Sequence, residues 1–183
     1  APVIGLIDCA GLRLQEATDA LNAFGEVFMK QTLASGVIPQ ITAIFGTCGG
    51  GAALIPNLTD VTFMTKEGAK LFVNSPNALD ENRAEKLDTA AADYVAENTA
   101  NVDAVYDTEA ELLGAVRTMV GLLPSNNEDD GDCAVCEDDV NRIIPDLATK
   151  AGDVKAVIAD ITDDEFVFEL KKDFADDVVT AFI

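Results

Sequence analysis

Two short stretches carry residue types that could do chemistry. One is Cys48-Gly49-Gly50-Gly51-Ala52-Ala53; the other is Asp8-Cys9-Ala10-Gly11-Leu12-Arg13. Each follows an apolar run, and small residues dominate both. Glycine admits positive φ and lets a ligand approach the backbone closely. Amides at the start of a helix have no intrahelical partner, and the helix dipole adds partial positive charge there. Such amides can bind a phosphate or stabilise a forming oxyanion. The same glycines can also serve only as a tight packing turn. The run is not a P-loop, because no Gly-Lys-Ser/Thr follows, and its consecutive glycines do not match GxGxxG. Arg13 could meet a phosphate, or pair with Glu16 or Asp8.

The chain has no histidine. Ser-His and Cys-His nucleophile pairs, His-ligated metals and His general bases are therefore excluded. The remaining means are backbone amides, carboxylates, lysine or a second component.

The elements that would position the two turns follow from periodicity. Val3–Ile7 and Ile41–Phe45 are short apolar runs, as expected of strands covered on both faces in a parallel sheet. Between them, Leu14, Ala17, Leu21, Phe24, Phe28 and Leu33 recur at helical spacing, and Gly36 is placed to stop that helix. Gly49–Asn57 reads as a helix start. Val61–Met64, Lys70–Val73 and Val102–Val105 read as strands, and Ala84–Asn98 as mostly helical. Thr108–Leu123 is a helix with Thr108 as cap and Glu111 three residues on, ended by Pro124. Alternating strands and helices predict an α/β fold. Two turns after adjacent parallel strands converge at the ligand-binding end of such a sheet.

The 183 residues are 49% hydrophobic and 25% charged, a globular composition with enough length for a sizeable core. The net charge of −21 disfavours nucleic acid. No apolar run approaches the roughly 20 residues that a membrane span needs, so direct membrane insertion is not expected. Four cysteines, Cys9, Cys48, Cys133 and Cys136, make no dense framework, so a reduced, cytoplasmic setting is expected.

The two stretches, taken with their flanks, resemble a family. "APVIGLIDCAGLRLQEATDAL" is similar to the "PVIGL-D-SGGARIQEG" segment of the carboxyltransferase subunits of biotin-dependent acyl-CoA carboxylases and decarboxylases. "GVIPQITAIFGTCGGGAALIPNLTDVTFM" resembles their "IPQI…CAGGA…P-LTDF-FM" segment. The resemblance is dense over 1–77, thins over 78–123, and returns weakly in "VIADITDDEFVFELKKDFADDVVTAFI". It implies a crotonase-like α/β fold, the β-β-α superhelix, present in part. The implied activity is carboxyl transfer between carboxybiotin, carried on a biotin carboxyl carrier protein, and an acyl-CoA. By the same resemblance the catalytic backbone donors are Gly50 or Gly51 from one turn and Gly11 and Leu12 from the other. Cys9, Ala10, Arg13 and Gly49 would line the acyl-CoA side. Cys9-Ala10-Gly11-Leu12-Arg13 departs from "SGGAR", which keeps a backbone donor but makes a bulkier wall. Crotonase hydratases carry a glutamate after their glycines; Ala53 and Leu54 stand there instead, which argues against hydration.

The resemblance further implies a homo-oligomer in which one subunit's N domain faces a partner's C domain. Residues 1–124 would be most of an N domain, 125–139 an acidic linker and 140–183 the opening of a C domain. Helices are expected near Val140–Ala148 and Asp153–Ile161, and strands near Phe166–Leu170 and Val178–Ile183. The Cys133–Cys136 pair alone is too little for a zinc site, and Asn126–Glu137 is a broken calcium loop, so no metal is expected. The ends read as cut, which predicts exposed apolar surface or pairing with another chain, and no transfer by these residues alone. The alternative of another class is a non-catalytic crotonase-like binding or assembly module.

Overall fold

The computed structural model describes residues 1–78, 80, 85–129, 139, 141–175 and 177–183. Among them, five strands form one parallel sheet. These are β1 (Val3–Cys9), β2 (Gln40–Gly49), β3 (Val61–Thr65), β4 (Lys70–Phe72) and β5 (Ala104–Tyr106), in the order β1-β2-β3-β5, with β4 also pairing β2. The helices are α1 (Ala17–Ala34), α2 (Ala92–Asn98), α3 (Glu109–Leu122) and α4 (Val154–Ile161). A separate antiparallel pair, β6 (Phe168–Leu170) and β7 (Thr180–Phe182), closes the chain.

The central strands read as continuous apolar runs because both of their faces are covered. Ile41, Ala43 and Phe63 face Leu112, Val116 and Met119 of α3. Ile7, Ile44 and Met64 lie in the opposite cluster with Ala52, Ala53, Leu71 and Val95. α3 starts as its sequence predicts. Thr108 Oγ1 accepts the Glu111 amide at 3.2 Å, and Glu111 Oε2 accepts the Thr108 amide at 3.0 Å.

Both early strands run further than the apolar pattern indicates, and an irregularity explains how. Ile7 pairs with Ile44, but Cys9 pairs with Cys48. Asp8 alone therefore faces Phe45, Gly46 and Thr47, a bulge in β2. The Thr47 amide donates to Asp8 Oδ1 at 3.0 Å, which clamps the bulge. A Cβ on Gly46 would fall on the Asp8 carboxylate. Gly46→Ala is expected to break this clamp and cost about 1.5–3 kcal/mol, the range for a hydrogen bond to a charged group. A urea midpoint unchanged from that of the parent chain would contradict it.

α1 holds the main departure from the expected packing. Its inner stripe is Ala20, Phe24, Phe28 and Gln31, while Leu21 and Leu33 of the expected stripe are exposed, as is Leu14 before it. No residue of α1 is buried. Val3, Ile4 and Leu6 of β1 are exposed as well, so among the described residues β1 is not covered on both faces as its apolar run leads one to expect. The helical period was right, but only one side of α1 has anything to pack on.

Toward the C-terminus, residues 141–150 form turns where a helix was expected near Val140–Ala148. Pro145 lacks a donor and disfavours helical backbone at Ile144, so the run breaks into turns such as Thr149 N to Asp146 O at 3.0 Å. Val140 itself lies outside the described residues. α4 forms as expected, with Asp153 Oδ1 accepting the Ala156 amide. The helix expected from Ala84 is shorter, beginning at Ala92, and residues 81–84 lie outside the described set.

One buried carboxylate ties this C-terminal region to the sheet. Asp103 Oδ2 accepts the Thr62 amide at 2.7 Å, and its Oδ1 pairs with Lys171 Nζ at 2.6 Å. The Lys171 amide donates to the Asp103 carbonyl, and Lys171 Nζ donates to the Ala100 carbonyl, both at 2.6 Å. Phe63 is fully buried next to this junction, with Tyr106 and Phe168 edge-on to it at 5.7 and 6.2 Å.

Candidate functional site

Because β1 and β2 are parallel neighbours, the turns after Cys9 and after Gly49 emerge at the same end of the sheet. They touch. Gly11 has φ +116°, and a Cβ there would lie 3.1 Å from the Gly49 carbonyl oxygen. Gly49 is buried, and a Cβ on it would come within 2.8 Å of the Phe72 ring and 3.2 Å of the Ala10 carbonyl. Gly50 has φ +61°, which lets the chain leave β2 sharply.

The segment after Gly49 is not the full helix that the sequence suggests. It is a 3-10 turn, Gly50–Leu54, followed by another over Pro56–Leu58. Pro56 restarts the chain at a position where its missing N–H costs nothing. In the i→i+3 pattern the first bond from Gly49 is taken by Ala52, so the amides of Gly50 and Gly51 have no partner within the turn. Among the described residues, the amides of Gly11, Leu12, Gly50 and Gly51 also donate no turn or loop bond to other backbone. Ala52 and Ala53 anchor the segment in the core.

The remaining expected site residues fall around this point. Cys9 is half-buried, its thiol directed to the Gly11 carbonyl at 3.6 Å. Ala10 is exposed, and Leu12 is half-buried. Arg13 is exposed and pairs with Glu16 at 3.4 Å, one of the partners its position allowed. An exposed pair of this kind contributes little and leaves the guanidinium able to turn. Cys133 and Cys136, with most of the Asn126–Glu137 loop, lie outside the described residues. Among the described residues, no cluster of three His, Cys, Asp or Glu could hold a metal ion. Nor is any helix among them long and apolar enough to cross a membrane.

Three side chains near the turns take roles that the sequence reading does not give them. Asp8 clamps the bulge that delivers Cys48 and Gly49, Phe72 closes over Gly49, and Phe24 lies 3.7 Å from where a Cβ of Gly51 would sit. Asp8 could have been recognised as a carboxylate ending an apolar strand opposite a glycine. Phe24 is legible only as a member of an apolar helical stripe, and Phe72 only as part of a short strand.

A cavity of about 390 Å³ opens beside Phe72, lined by Lys70, Pro76, Lys86 and Asp88 among others. Lys70 Nζ donates to Asp88 Oδ2 at 2.7 Å, and this bond holds the Asp88 carboxyl below its ordinary pKa, against the opposing pull of desolvation. A carboxyl depressed in the folded state adds stability that is complete above its ordinary pKa and is lost as pH falls through the depressed one. Lys70→Met is expected to return the Asp88 titration, followed by carboxyl carbon NMR, toward the ordinary range. An unmoved titration would show that the pair has no such role.

Comparison with known proteins identifies the family and the fold. The family model described as "Carboxyl transferase domain" matches residues 1–183. The chain is 36% identical to the propionyl-CoA carboxylase beta chain of Roseobacter denitrificans, over all of this chain and 38% of that one. It is 37% identical to the methylmalonyl-CoA decarboxylase subunit alpha of Veillonella parvula, with the same coverage. It superposes on the transcarboxylase 12S structure, described as a hexamer assembly with hydrolysed methylmalonyl-coenzyme A bound, at a TM-score of 0.88 and 29% identity, covering 99% of this chain and 37% of that one. The chain thus spans a little over a third of the length of these relatives. The expected crotonase-like α/β architecture holds. With the family model matched from the first residue to the last, and both glycine turns at one end of a parallel sheet, the chain belongs to the carboxyl transferase domain family, whose curated members here are acyl-CoA carboxylases and decarboxylases.

Proposed function

We propose that this chain forms the acyl-CoA side of a biotin-dependent carboxyltransferase. The observation that carries the reading is the contact between the two turns, where Gly11 lies against the Gly49 carbonyl and so brings the backbone of both glycine turns to one place. The reaction would exchange a carboxyl group at the α-carbon of an acyl-CoA. Loss of a proton or of CO2 there leaves an enolate, whose charge rests on the thioester oxygen. The amides of Gly50 or Gly51 and of Gly11 or Leu12 would hold that oxygen. Fixed backbone donors in a site shielded from water stabilise such charge without reorganising. The chemistry needs no histidine, and the chain has none. Cys9, Ala10, Arg13 and Gly49 would form the wall on the acyl-CoA side.

Carboxybiotin, borne by a biotin carboxyl carrier protein, would supply CO2 or accept it. On this reading these residues hold the thioester, and the C domain of another subunit facing this one would hold the biotin. The relatives named for propionyl-CoA and methylmalonyl-CoA make short branched or odd-chain acyl-CoAs the first substrates to try. A cytoplasmic setting completes the reading.

The test is isotope-edited infrared spectroscopy of propionyl-CoA labelled at the thioester carbonyl, bound to the protein that carries this chain. Amide donation should move the carbonyl stretch to lower frequency than in water. Binding with no such shift would overturn the oxyanion reading.

A further inference from the structure

Cys9 and Cys48 are register partners across β1 and β2, at the point where each strand gives way to its glycine turn. Neither is in a disulfide, and both sit in the cluster that also holds Ile7 and Ile44, so their side chains share one face of the sheet. Neighbouring strands lie about 4.8 Å apart, and a disulfide joins Cα atoms separated by roughly 4.4–6.8 Å. We propose that Cys9 and Cys48 are a redox pair that closes to a reversible disulfide under peroxide and so pins the two glycine turns to each other.

The two thiols have different surroundings, which sets their order of reaction. Cys48 is fully buried, and burial followed by the nearness of Cys9 pushes its pKa up to about 12, so it stays a thiol. Half-buried Cys9 is therefore the sulfur that meets the oxidant. Its thiolate attacks one oxygen of hydrogen peroxide: an S–O bond forms, the O–O bond breaks, and hydroxide leaves and is protonated to water. Cys48 passes its proton to the sulfenic oxygen as its sulfur attacks Cys9: the S–S bond forms, the S–O bond breaks, and that oxygen leaves as a second water. Two thiols and one peroxide give one disulfide and two waters.

Closing the bridge changes both turns together. In the reduced chain the Cys9 thiol donates to the Gly11 carbonyl at 3.6 Å, and the Cys48 thiol donates to the Ala52 carbonyl at 3.4 Å. Both bonds are lost on oxidation, one in each turn. The bridge stands on strand register alone and does not depend on the carboxyl-transfer reading, so the test reads thiols and not turnover.

The full chain carrying Cys133→Ser and Cys136→Ser is treated with graded hydrogen peroxide, denatured, alkylated with N-ethylmaleimide and mapped by mass spectrometry. The expected result is that Cys9 and Cys48 lose their thiols together, that one cross-linked peptide pair appears, and that dithiothreitol restores both. In a chain with Cys9→Ser added, Cys48 should remain alkylatable throughout. The proposal is overturned if Cys9 advances to sulfinic acid while Cys48 stays alkylatable, or if Cys48 is oxidised equally fast without Cys9.

Discussion

Gly51→Pro is expected to lower carboxyl transfer by about 10²- to 10³-fold, the usual cost of one oxyanion donor. Proline removes the Gly51 N–H and little else. The residue lies in the first turn of a 3-10 segment, where the proline φ is admitted and the amide has no helical partner to lose. Gly50 before it, at φ +61°, lies outside the right-handed helical region that a following proline disfavours. Gly51→Ala is the matching control. It keeps the N–H, and its Cβ would sit 3.7 Å from the Phe24 ring, an ordinary contact. The alanine loss should therefore be far smaller than the proline loss, measured as kcat with the protein that carries this chain, a carboxylated biotin donor and propionyl-CoA. Equal losses for the two variants would mean that the space, and not the amide, matters at Gly51. No loss with proline would remove Gly51 from the site.

Phe63→Ala should carry the largest cost in stability, about 3–5 kcal/mol. The ring is fully buried in the middle of β3 and meets Tyr106 and Phe168 edge-on. Its removal leaves a cavity that the α3 residues Leu112 and Met119 cannot fill from their fixed positions. The effect should also be seen at a distance. β6 and β7 rest on this cluster through Phe168, Leu170 and Phe182, so their amides should exchange with solvent faster than those of β1 and β2 in the variant. A loss below about 1 kcal/mol, with unchanged exchange in the hairpin, would show that Phe63 does not join the two sheets.

Much of the fold was legible because its strongest signals are local. The α3 cap, the start of α4 at Asp153 and the apolar runs of β1 to β3 each depend on neighbours within a few residues. The bulge at Asp8 was not legible, since it exists only through the pairing of residues far apart in the chain. The same holds for the α1 stripe: periodicity gives a helix but not which side has a sheet beneath it. Residues 141–148 show propensity yielding to one proline. At the site, the glycine turns could be read from composition and from family likeness. That Gly11 and Gly49 press against each other needed the parallel register of β1 and β2.

The Asp103–Lys171 linkage has a consequence for how the chain reaches this structure. It joins segments widely separated in sequence, and closing so long a loop costs entropy that only the finished contact offsets. Thr62 and Asp103 can meet while β3 and β5 assemble, with the free Asp103 oxygen still hydrated. Lys171 cannot form its ion pair until that carboxylate is in place. During synthesis it also leaves the ribosome after the whole parallel sheet has done so. The terminal hairpin is thus a late folder, and its two short strands are too few to hold together before they dock. In refolding, protection of Phe168–Leu170 and Thr180–Phe182 should follow that of the sheet, and the late phase should slow further when Lys171 is replaced by methionine.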